Sequence, residues 1–202
     1  MKFMKHLPFA ALLIAIVSNL SIQLPAQTRS VAPPASCSDN WQITGYFTPV
    51  ETDYRSTEMT EIEVEGVGKV SLNADFLRVV WDTEKGTGEG WGKTRFGWYL
   101  GQYRRKWRKS DAPLGARDQP LNPNSIAVDR SIIPTASVVT IPALPGRFGT
   151  LKFVADDIGV GIRGKHIDVY TGEGKKAERE MYRITFEDED ELQQVCFGPP
   201  AP

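Results

Sequence analysis

The chain has 202 residues, a formal net charge of −1 and 41% hydrophobic residues. This length fits one domain of ordinary size with a substantial hydrophobic core. The balanced charge gives no support to a nucleic-acid partner, for which a basic surface is typical. The 18 Gly and 14 Pro residues favour short strands and turns over long helices.

Residues 1–26 have the pattern of a secretory signal peptide. Lys2 and Lys5 precede the apolar run FAALLIAIV, and a polar stretch ending in small residues follows it. We expect cleavage near Ala26, which leaves an exported protein in the periplasm or outside the cell, with no membrane span. The run is short for a transmembrane helix. An uncleaved N-terminal anchor is the alternative interpretation.

Cys37 and Cys196 are the two cysteines of the chain, and they lie near the two ends of the mature protein. In an oxidising compartment an isolated pair favours a disulfide, so we expect these two residues to be joined. The stretch PASC offers a second interpretation, a lipoprotein signal with Cys37 lipidated. That signal would lie far from the apolar run and has Pro where an aliphatic residue is expected.

One domain is predicted over residues 41–198, behind a flexible Pro- and Ser-rich linker at 27–40. TEIEVEGVGKVSL predicts an exposed hairpin with a Gly-Val-Gly turn. NADFLRVVW predicts a short amphipathic helix with Asn73 as its N-cap. Residues 84–115 are Gly-rich and then basic, without a regular period, and we interpret them as a long loop with short strands around FGWYL.

The C-terminal half of the chain predicts four more strands and one helix. SIAVDRSIIPTASVVTIPAL gives two strands separated by a Pro turn. LKFVADDIGVGIRGKHIDVYTG gives two more, which we expect to form a buried hairpin. EGKKAEREMYRI predicts a short helix, and the acidic segment FEDEDEL follows it. Many short strands with turn signals predict an all-β barrel rather than a layered α/β fold.

Three aspartates follow β-type aliphatic residues: Asp129, Asp157 and Asp168. A carboxylate there is costly unless it is paired, hydrogen-bonded or solvated in a cleft. Two acids buried side by side cannot both ionise cheaply, so one pKa rises and yields a proton donor near neutral pH. Each aspartate taken singly fits a turn cap as well. We interpret the three together, with the glycines among them, as a catalytic cluster.

The segment 125–178 resembles the three-aspartate (3D) domain family. It carries the family's aliphatic-Val-Asp motif at Asp129, an Ile-Pro after the next strand, an acid-Asp pair ending at Asp157, and Ile-Asp-Val-Tyr around Asp168. Asp157 and Asp168 are 11 residues apart, which is the family spacing. TGYFTP, which contains Tyr46, is similar to the first strand of the related membrane-bound lytic transglycosylase A family.

Some positions depart from the family pattern. Ile158 stands where the family has Thr, and Val160 stands where it has Gly. Lys165 and His166 replace a common Asn and Arg. Because all three aspartates are kept, we expect these changes to affect rate and specificity more than the class of activity.

The resemblance implies an all-β fold, a six-stranded double-psi β-barrel with loop and short-helix insertions. It also implies a lytic transglycosylase, a lyase that breaks the β-1,4 bond from N-acetylmuramic acid (MurNAc) to N-acetylglucosamine (GlcNAc) in peptidoglycan. The product has a 1,6-anhydro-MurNAc end. By resemblance Asp168 is the general acid and base, and Asp157 and Asp129 hold it in place. We expect a monomer that binds peptidoglycan glycan strands and needs no cofactor or metal.

Substrate binding is assigned to residues around the aspartates: Tyr46, Gly159, Gly161, Arg163, His166 and Tyr170. The basic run 104–109 offers cations for peptide carboxylates, and aromatic residues near it offer faces for sugars: Trp91, Trp98 and Tyr99. A solvated loop and loop packing explain these residues equally well. Two other functions stay open, a hydrolase on the same barrel that uses water, and a glycan-binding module without catalysis.

Overall fold

The computed structural model describes residues 35–186 and 192–200. Strands in this part are numbered in chain order: β1 (Ser36–Thr48), β2 (Met59–Glu65), β3 (Gly68–Asn73), β4 (Trp91–Lys93), β5 (Tyr99–Tyr103), β6 (Lys106–Ser110), β7 (Ser125–Val128), β8 (Ser137–Thr140), β9 (Phe153–Asp157), β10 (His166–Glu173) and β11 (Gln193–Pro200). The α-helices are α1 (Ala74–Val80) and α2 (Gly174–Ile184). The predicted signal peptide and residues 187–191 of the acidic segment lie outside the described residues.

Six strands close into a barrel in the order β1-β10-β7-β9-β8-β11. β1 is parallel to β10 and β7 is parallel to β9, while the other neighbours are antiparallel. Alternate residues of each strand point inward and form the core, which includes Trp41, Ile43, Ile126, Val128, Phe153, Ile167 and Val169. The prediction of a mostly β fold is confirmed.

A second sheet replaces most of the predicted long loop. β4, β5 and β6 join the predicted hairpin β2–β3 in the order β3-β2-β6-β5-β4. A Cβ on Gly92 would lie 2.3 Å from Cγ2 of Val80, and a Cβ on Gly101 would lie 2.7 Å from Cε3 of Trp91. At these two glycines, neighbouring side chains occupy the space that a side chain would need. The glycines therefore interrupt the alternation of hydrophobic and polar residues by which strands are recognised in a sequence.

Both predicted helices are present. Asn73 is the N-cap of α1, because its Oδ1 accepts a hydrogen bond from Phe76 N at 3.0 Å. α2 packs against β1, where a Cβ on Gly45 would lie 3.1 Å from the Cα of Met181. α2 therefore lies close to the barrel strand that carries Tyr46.

β9 and β10 do not form the predicted hairpin. β7 lies between them, parallel to β9 and antiparallel to β10. Because the chain must cross the end of β7, residues 158–165 form a loop instead of a tight turn. The hydrophobic residues of this loop differ in exposure: Ile162 is buried, whereas Val160 is 78% exposed and Ile158 is 49% exposed.

β1 begins at Ser36, ahead of the predicted domain start at residue 41. Its first residues pair with β11, and Cys37 stands directly opposite Cys196. A disulfide joins the two, as the sequence predicts. The ladder and the disulfide thus order residues 36–40, which composition alone assigns to a linker.

Candidate active site

Asp168 and Asp157 lie on the outer face of the barrel, on either side of one small residue. In the sheet register Ala127 of β7 stands opposite Asp168 of β10 and opposite Asp157 of β9. Because side chains alternate along a strand, the neighbours Ile126 and Val128 point into the core. The strands can therefore be buried on one face and carry carboxylates on the other.

Asp168 is half-buried and is hydrogen-bonded to β1. Oγ1 of Thr44 donates to Oδ1 of Asp168 at 2.8 Å, and it lies 2.9 Å from Nε2 of His166. Burial raises the pKa of Asp168 to about 6; the Thr44 hydrogen bond opposes this shift and the charge of Asp157 adds to it.

Asp157 accepts hydrogen bonds on both oxygens. The hydroxyl of Tyr46 donates to Oδ2 at 2.6 Å, and Ile158 N donates to Oδ1 at 2.7 Å. Burial raises the pKa of Asp157, and these hydrogen bonds oppose that shift. Burial and the charge of Asp157 raise the pKa of Tyr46 well above its usual value, so Tyr46 remains a hydroxyl donor.

Asp129 is bonded to a turn and a loop rather than to the other two aspartates. Its Oδ1 accepts from Ser131 N at 2.9 Å and from Ser131 Oγ at 2.6 Å, and its Oδ2 accepts from Gly164 N at 2.9 Å. The Ser131 and Gly164 hydrogen bonds lower the pKa of Asp129 to about 2. Asp129 therefore stays ionised and fastens the loop 158–165 to the end of β7.

The predicted binding residues of this loop differ in their surroundings. A Cβ on Gly161 would meet nothing within 4 Å, whereas a Cβ on Gly159 would lie 2.6 Å from Cγ1 of Ile162. Gly161 thus borders open space, and Gly159 is a packing position. Arg163 is exposed, and its Nη1 donates to Ile162 O at 2.9 Å.

Tyr170 lies beneath Tyr46 instead of on the open surface. It is 4% exposed, its hydroxyl is 2.9 Å from Oγ1 of Thr48, and its ring centroid is 5.3 Å from that of Tyr46. Burial raises the pKa of Tyr170 to about 12. The Tyr170 side chain therefore packs against Tyr46, and its contact with substrate stays a prediction.

Thr44 and Glu89 belong to the site but are absent from the sequence prediction. Glu89, in the loop after α1, is half-buried, and its Oε2 accepts from Phe47 N at 2.9 Å. Burial raises the pKa of Glu89 to about 8, and the charge of Asp168 contributes. Thr44 lies two residues before Tyr46, on the same strand face, so the TGYFTP motif contains a signal for it. Glu89 has no such local signal.

The three aromatic residues that the sequence offers as faces for sugars all contact other residues of the protein. Trp91 is 8% exposed beneath the guanidinium of Arg108, which lies 4.9 Å from its ring centroid. Trp98 stacks on Phe96 with centroids 6.2 Å apart. The hydroxyl of Tyr99 donates to Oε1 of Glu173 at 2.6 Å. Trp91 and Trp98 therefore have contacts within the second sheet, and Tyr99 is bonded to β10 of the barrel.

Within residues 35–186 and 192–200, no group of three or more His, Cys, Asp or Glu side chains is placed to hold a metal ion. No helix of that same part has the length and hydropathy needed to cross a membrane.

Comparisons with known proteins concern the segment of the aspartates and the fold around it. Residues 124–184 match the family model of the 3D domain. No curated protein matches the chain in sequence. The structure is similar to that of Escherichia coli MltA with bound chitohexaose, with 20% identity, 83% of this chain and 76% of that chain covered, and a TM-score of 0.56.

Two further solved structures are more distant. MltA from Neisseria gonorrhoeae has 12% identity, coverage of 82% and 73%, and a TM-score of 0.47. The lytic transglycosylase LtgG of Burkholderia pseudomallei has 17% identity, coverage of 81% and 71%, and a TM-score of 0.41. The segment that carries Asp129, Asp157 and Asp168 therefore matches the 3D domain, and the fold around it is similar to that of E. coli MltA.

Proposed function

We propose that the protein is a peptidoglycan lytic transglycosylase in which Asp168 is the general acid and base. The observation that carries this proposal is the pKa of about 6 for a half-buried carboxyl that Thr44 and Asp157 flank. Such a carboxyl keeps its proton in weakly acidic solution and can protonate a leaving oxygen. The fold shared with MltA, whose structure holds chitohexaose, supports a glycan as the substrate.

In the proposed reaction Asp168 donates its proton to the glycosidic oxygen between MurNAc and GlcNAc. The C1–O bond breaks, and its electron pair stays with the departing GlcNAc hydroxyl. The 6-hydroxyl of the same MurNAc attacks C1, and the Asp168 carboxylate takes the hydroxyl proton. This step restores the acid and leaves a 1,6-anhydro-MurNAc end. The nucleophile is part of the substrate, so proximity supplies much of the rate and no second catalytic carboxylate is required.

The neighbouring residues have supporting parts in this proposal. Asp157, held by Tyr46, raises the pKa of Asp168 and stabilises positive charge that develops at C1. Asp129 positions the loop 158–165, where Gly161 leaves space for a sugar. His166 acts on Asp168 through Thr44, and burial lowers its pKa, which keeps the ring neutral at pH 7. The exposed guanidinium of Arg163 is available to a glycan.

The remaining predictions belong to the same proposal. We infer that the barrel is of the double-psi type, which its two parallel pairs, β1–β10 and β7–β9, support. We infer export after removal of residues 1–26, which the disulfide supports because disulfides persist in oxidising compartments. The active form is proposed to be a monomer.

Digestion of purified sacculi across pH, with mass spectrometry of the chain ends, tests the function. We expect anhydro-MurNAc ends and a bell-shaped rate profile whose alkaline limb lies near pH 6, because Asp168 must hold its proton. The acid limb follows protonation of Asp157. Asp168→Asn is expected to abolish release while the fold is retained.

Other products would support the alternatives. Reducing MurNAc ends at every pH would replace this mechanism with hydrolysis on the same barrel. Binding to sacculi without soluble product at any pH would identify a glycan-binding module.

A further inference from the structure

A charged cavity lies beside the start of α2 and the end of β10. Its volume is about 570 Å³, and charged side chains line much of it: Arg147, Lys176, Arg183, Glu173 and Glu180. The cavity borders the strand that carries Asp168 but contains none of the residues assigned to catalysis.

The two acids of the cavity already have partners. Glu180 accepts a hydrogen bond from Nη1 of Arg183 at 3.2 Å. The two oxygens of Glu173 accept from the hydroxyl of Tyr99 at 2.6 Å and from Nζ of Lys93 at 3.1 Å. The negative charges are therefore compensated from within the protein.

Two cations of the cavity lack an acidic partner. In residues 35–186 and 192–200, none of the ion pairs includes Arg147 or Lys176. Nη2 of Arg147 donates to Thr171 O at 3.3 Å, and its guanidinium lies 4.6 Å from the ring centroid of Phe148. These contacts fix the plane of the guanidinium, which leaves its other donors directed and available for an anion.

We propose that this cavity binds a carboxylate of the peptide that peptidoglycan carries on its MurNAc residues, with Arg147 and Lys176 as the charged ligands. The inference rests on the proposed function and specifies its substrate as a peptide-bearing glycan. Glu173 and Glu180 are compensated by Lys93 and Arg183, so Arg147 and Lys176 are the cations left for a ligand. The peptide of the proposed substrate supplies a carboxylate for them.

The position of the cavity fits a peptide attached to a glycan at Asp168. Glu173 follows Asp168 by five residues on β10, about 16 Å along an extended strand. In this proposal a glycan bound at Asp168 extends towards the cavity and places the peptide of a neighbouring sugar there, whereas a neutral chitin chain has no carboxylate to place.

The test compares two ligands on a protein that cannot turn them over. In the Asp168→Asn background, calorimetry measures the binding of a peptide-bearing GlcNAc–MurNAc oligomer and of chitohexaose. We expect Lys176→Gln and Arg147→Gln each to weaken the peptide-bearing ligand about 10-fold at low salt, since each removes one charge-assisted contact in a partly solvated site. The Kd of chitohexaose is expected to stay within about twofold, because no carboxylate contact is lost.

Arg179→Gln is the matched control, because Arg179 is an exposed cation on the same helix that does not line the cavity. It should leave both affinities unchanged. Amidation of the peptide carboxyls should weaken binding to the protein that retains Arg147 and Lys176 at least as much as either substitution does, because it removes both contacts. Equal affinities of all variants for the peptide-bearing oligomer would overturn the inference, and so would a parallel loss of chitohexaose.

The outcome is separable from that of the proposed function. If the protein with Asp168 intact cleaves sacculi, but the Arg147 and Lys176 variants bind both ligands unchanged, the carboxylate site is contradicted and the proposed function is kept. Carboxylate-dependent binding without any cleavage would keep the site and remove the transglycosylase.

Discussion

At the scale of single residues, the site depends on a pair of carboxyls separated by one methyl group. Ala127 is 3% exposed and stands opposite both Asp157 and Asp168 in the sheet. Opposite side chains in neighbouring strands lie about 5 Å apart at Cβ, and a larger residue between the acids would weaken their interaction. The short side chain therefore lets the charge of Asp157 act on the proton of Asp168.

Asp157→Asn should change the pH profile as well as the rate of sacculus digestion. The charge of Asp157 contributes to the raised pKa of Asp168, so its removal should move the alkaline limb to lower pH. We expect the maximal rate to fall about 100-fold, because the charge that stabilises the positive charge developing at C1 is lost. The initial rate of muropeptide release, measured at half-unit pH intervals, gives both quantities.

Asp156→Asn is the control for that experiment. Asp156 is adjacent in sequence, but its Oδ2 accepts from Oγ of Ser125 at 3.0 Å, and it does not contribute to the pKa shift of Asp168. Its variant should keep the position of the alkaline limb. Equal displacement of the limb by both variants would contradict the assigned coupling.

At the scale of elements, β1 is the strand that both closes the barrel and carries residues of the site. Its first part pairs with β11, and its later part pairs with β10 beside Asp168. Within residues 35–186 and 192–200, no strand pairs with the second edge of that later part. Two hydrogen bonds form there instead: Phe186 N donates to Ile43 O at 2.9 Å, and Gly45 N donates to Oγ1 of Thr185 at 3.0 Å. β1 is therefore held on both edges along the stretch that presents Thr44.

Removal of the disulfide should lower stability far more than activity. Cys37 and Cys196 are 159 residues apart, so their link restricts most of the unfolded chain. The chain-entropy model gives about 5 kcal/mol for a loop of this size, and measured effects are often smaller. We expect the double Ala variant to unfold at clearly lower urea concentration, while digestion of sacculi at 25 °C is retained because the β1–β11 ladder persists.

Urea unfolding of the native protein with and without a reductant is the companion measurement. The reductant should lower the midpoint of the native protein and leave that of the double Ala variant unchanged. Coincident curves for native and variant proteins would show that the disulfide contributes nothing to stability.

At the scale of the whole molecule, a few polar contacts join the second sheet to the barrel. Glu173 of β10 accepts from Lys93 and Tyr99, Lys93 N donates to Pro49 O at 2.8 Å, and Glu89 accepts from Phe47 N. Glu89 differs from the other groups because its pKa is about 8. Burial causes this shift, and the charges of Asp168 on β10 and Glu178 on α2 add to it.

Glu89→Gln should stabilise the protein at alkaline pH only. The folded pKa of about 8 lies above the ordinary 4.5, so folding favours the neutral acid, and stability is lost as pH rises from about 4.5 through 8. At pH 9 we expect the variant to be more stable by about 2 to 4 kcal/mol, after part of the shift is discounted for solvent screening. Near pH 4 the two proteins should be equal.

Urea unfolding at pH 4 and pH 9 measures this difference. Glu84→Gln is the matched control, because it changes an exposed glutamate of the same loop to the same amide. A stability gain of equal size at both pH values would mean that the amide acts by packing rather than by loss of a titrating group.

The sequence predicts those parts of the structure that local patterns determine. The N-cap of α1, the hairpin β2–β3, α2 and the pairing of Cys37 with Cys196 all follow from short-range chemistry or from an isolated residue pair. The placement of β7 between β9 and β10 does not, because hairpin and crossover connections have the same apolar pattern until the pairing is known.

The second sheet and Glu89 are hidden from the sequence for a different reason. Gly92 and Gly101 are glycines because Val80 and Trp91 occupy the space of a side chain, and in a sequence they resemble loop residues. Glu89 becomes an unusual acid only through contacts with β1 and with the charge of Asp168. Both depend on residues that are remote in the chain, so no local pattern records them.

The antiparallel pairing of β1 with β11 also determines where the domain can be joined to other proteins. A Cβ on Gly198 would lie 3.7 Å from the Cα of Ala35, so the two outer limits of the domain lie side by side. Domains whose limits are adjacent tolerate insertion into a surface loop of a host protein. The domain could therefore be displayed as an insert on a carrier, with both connections beside the disulfide.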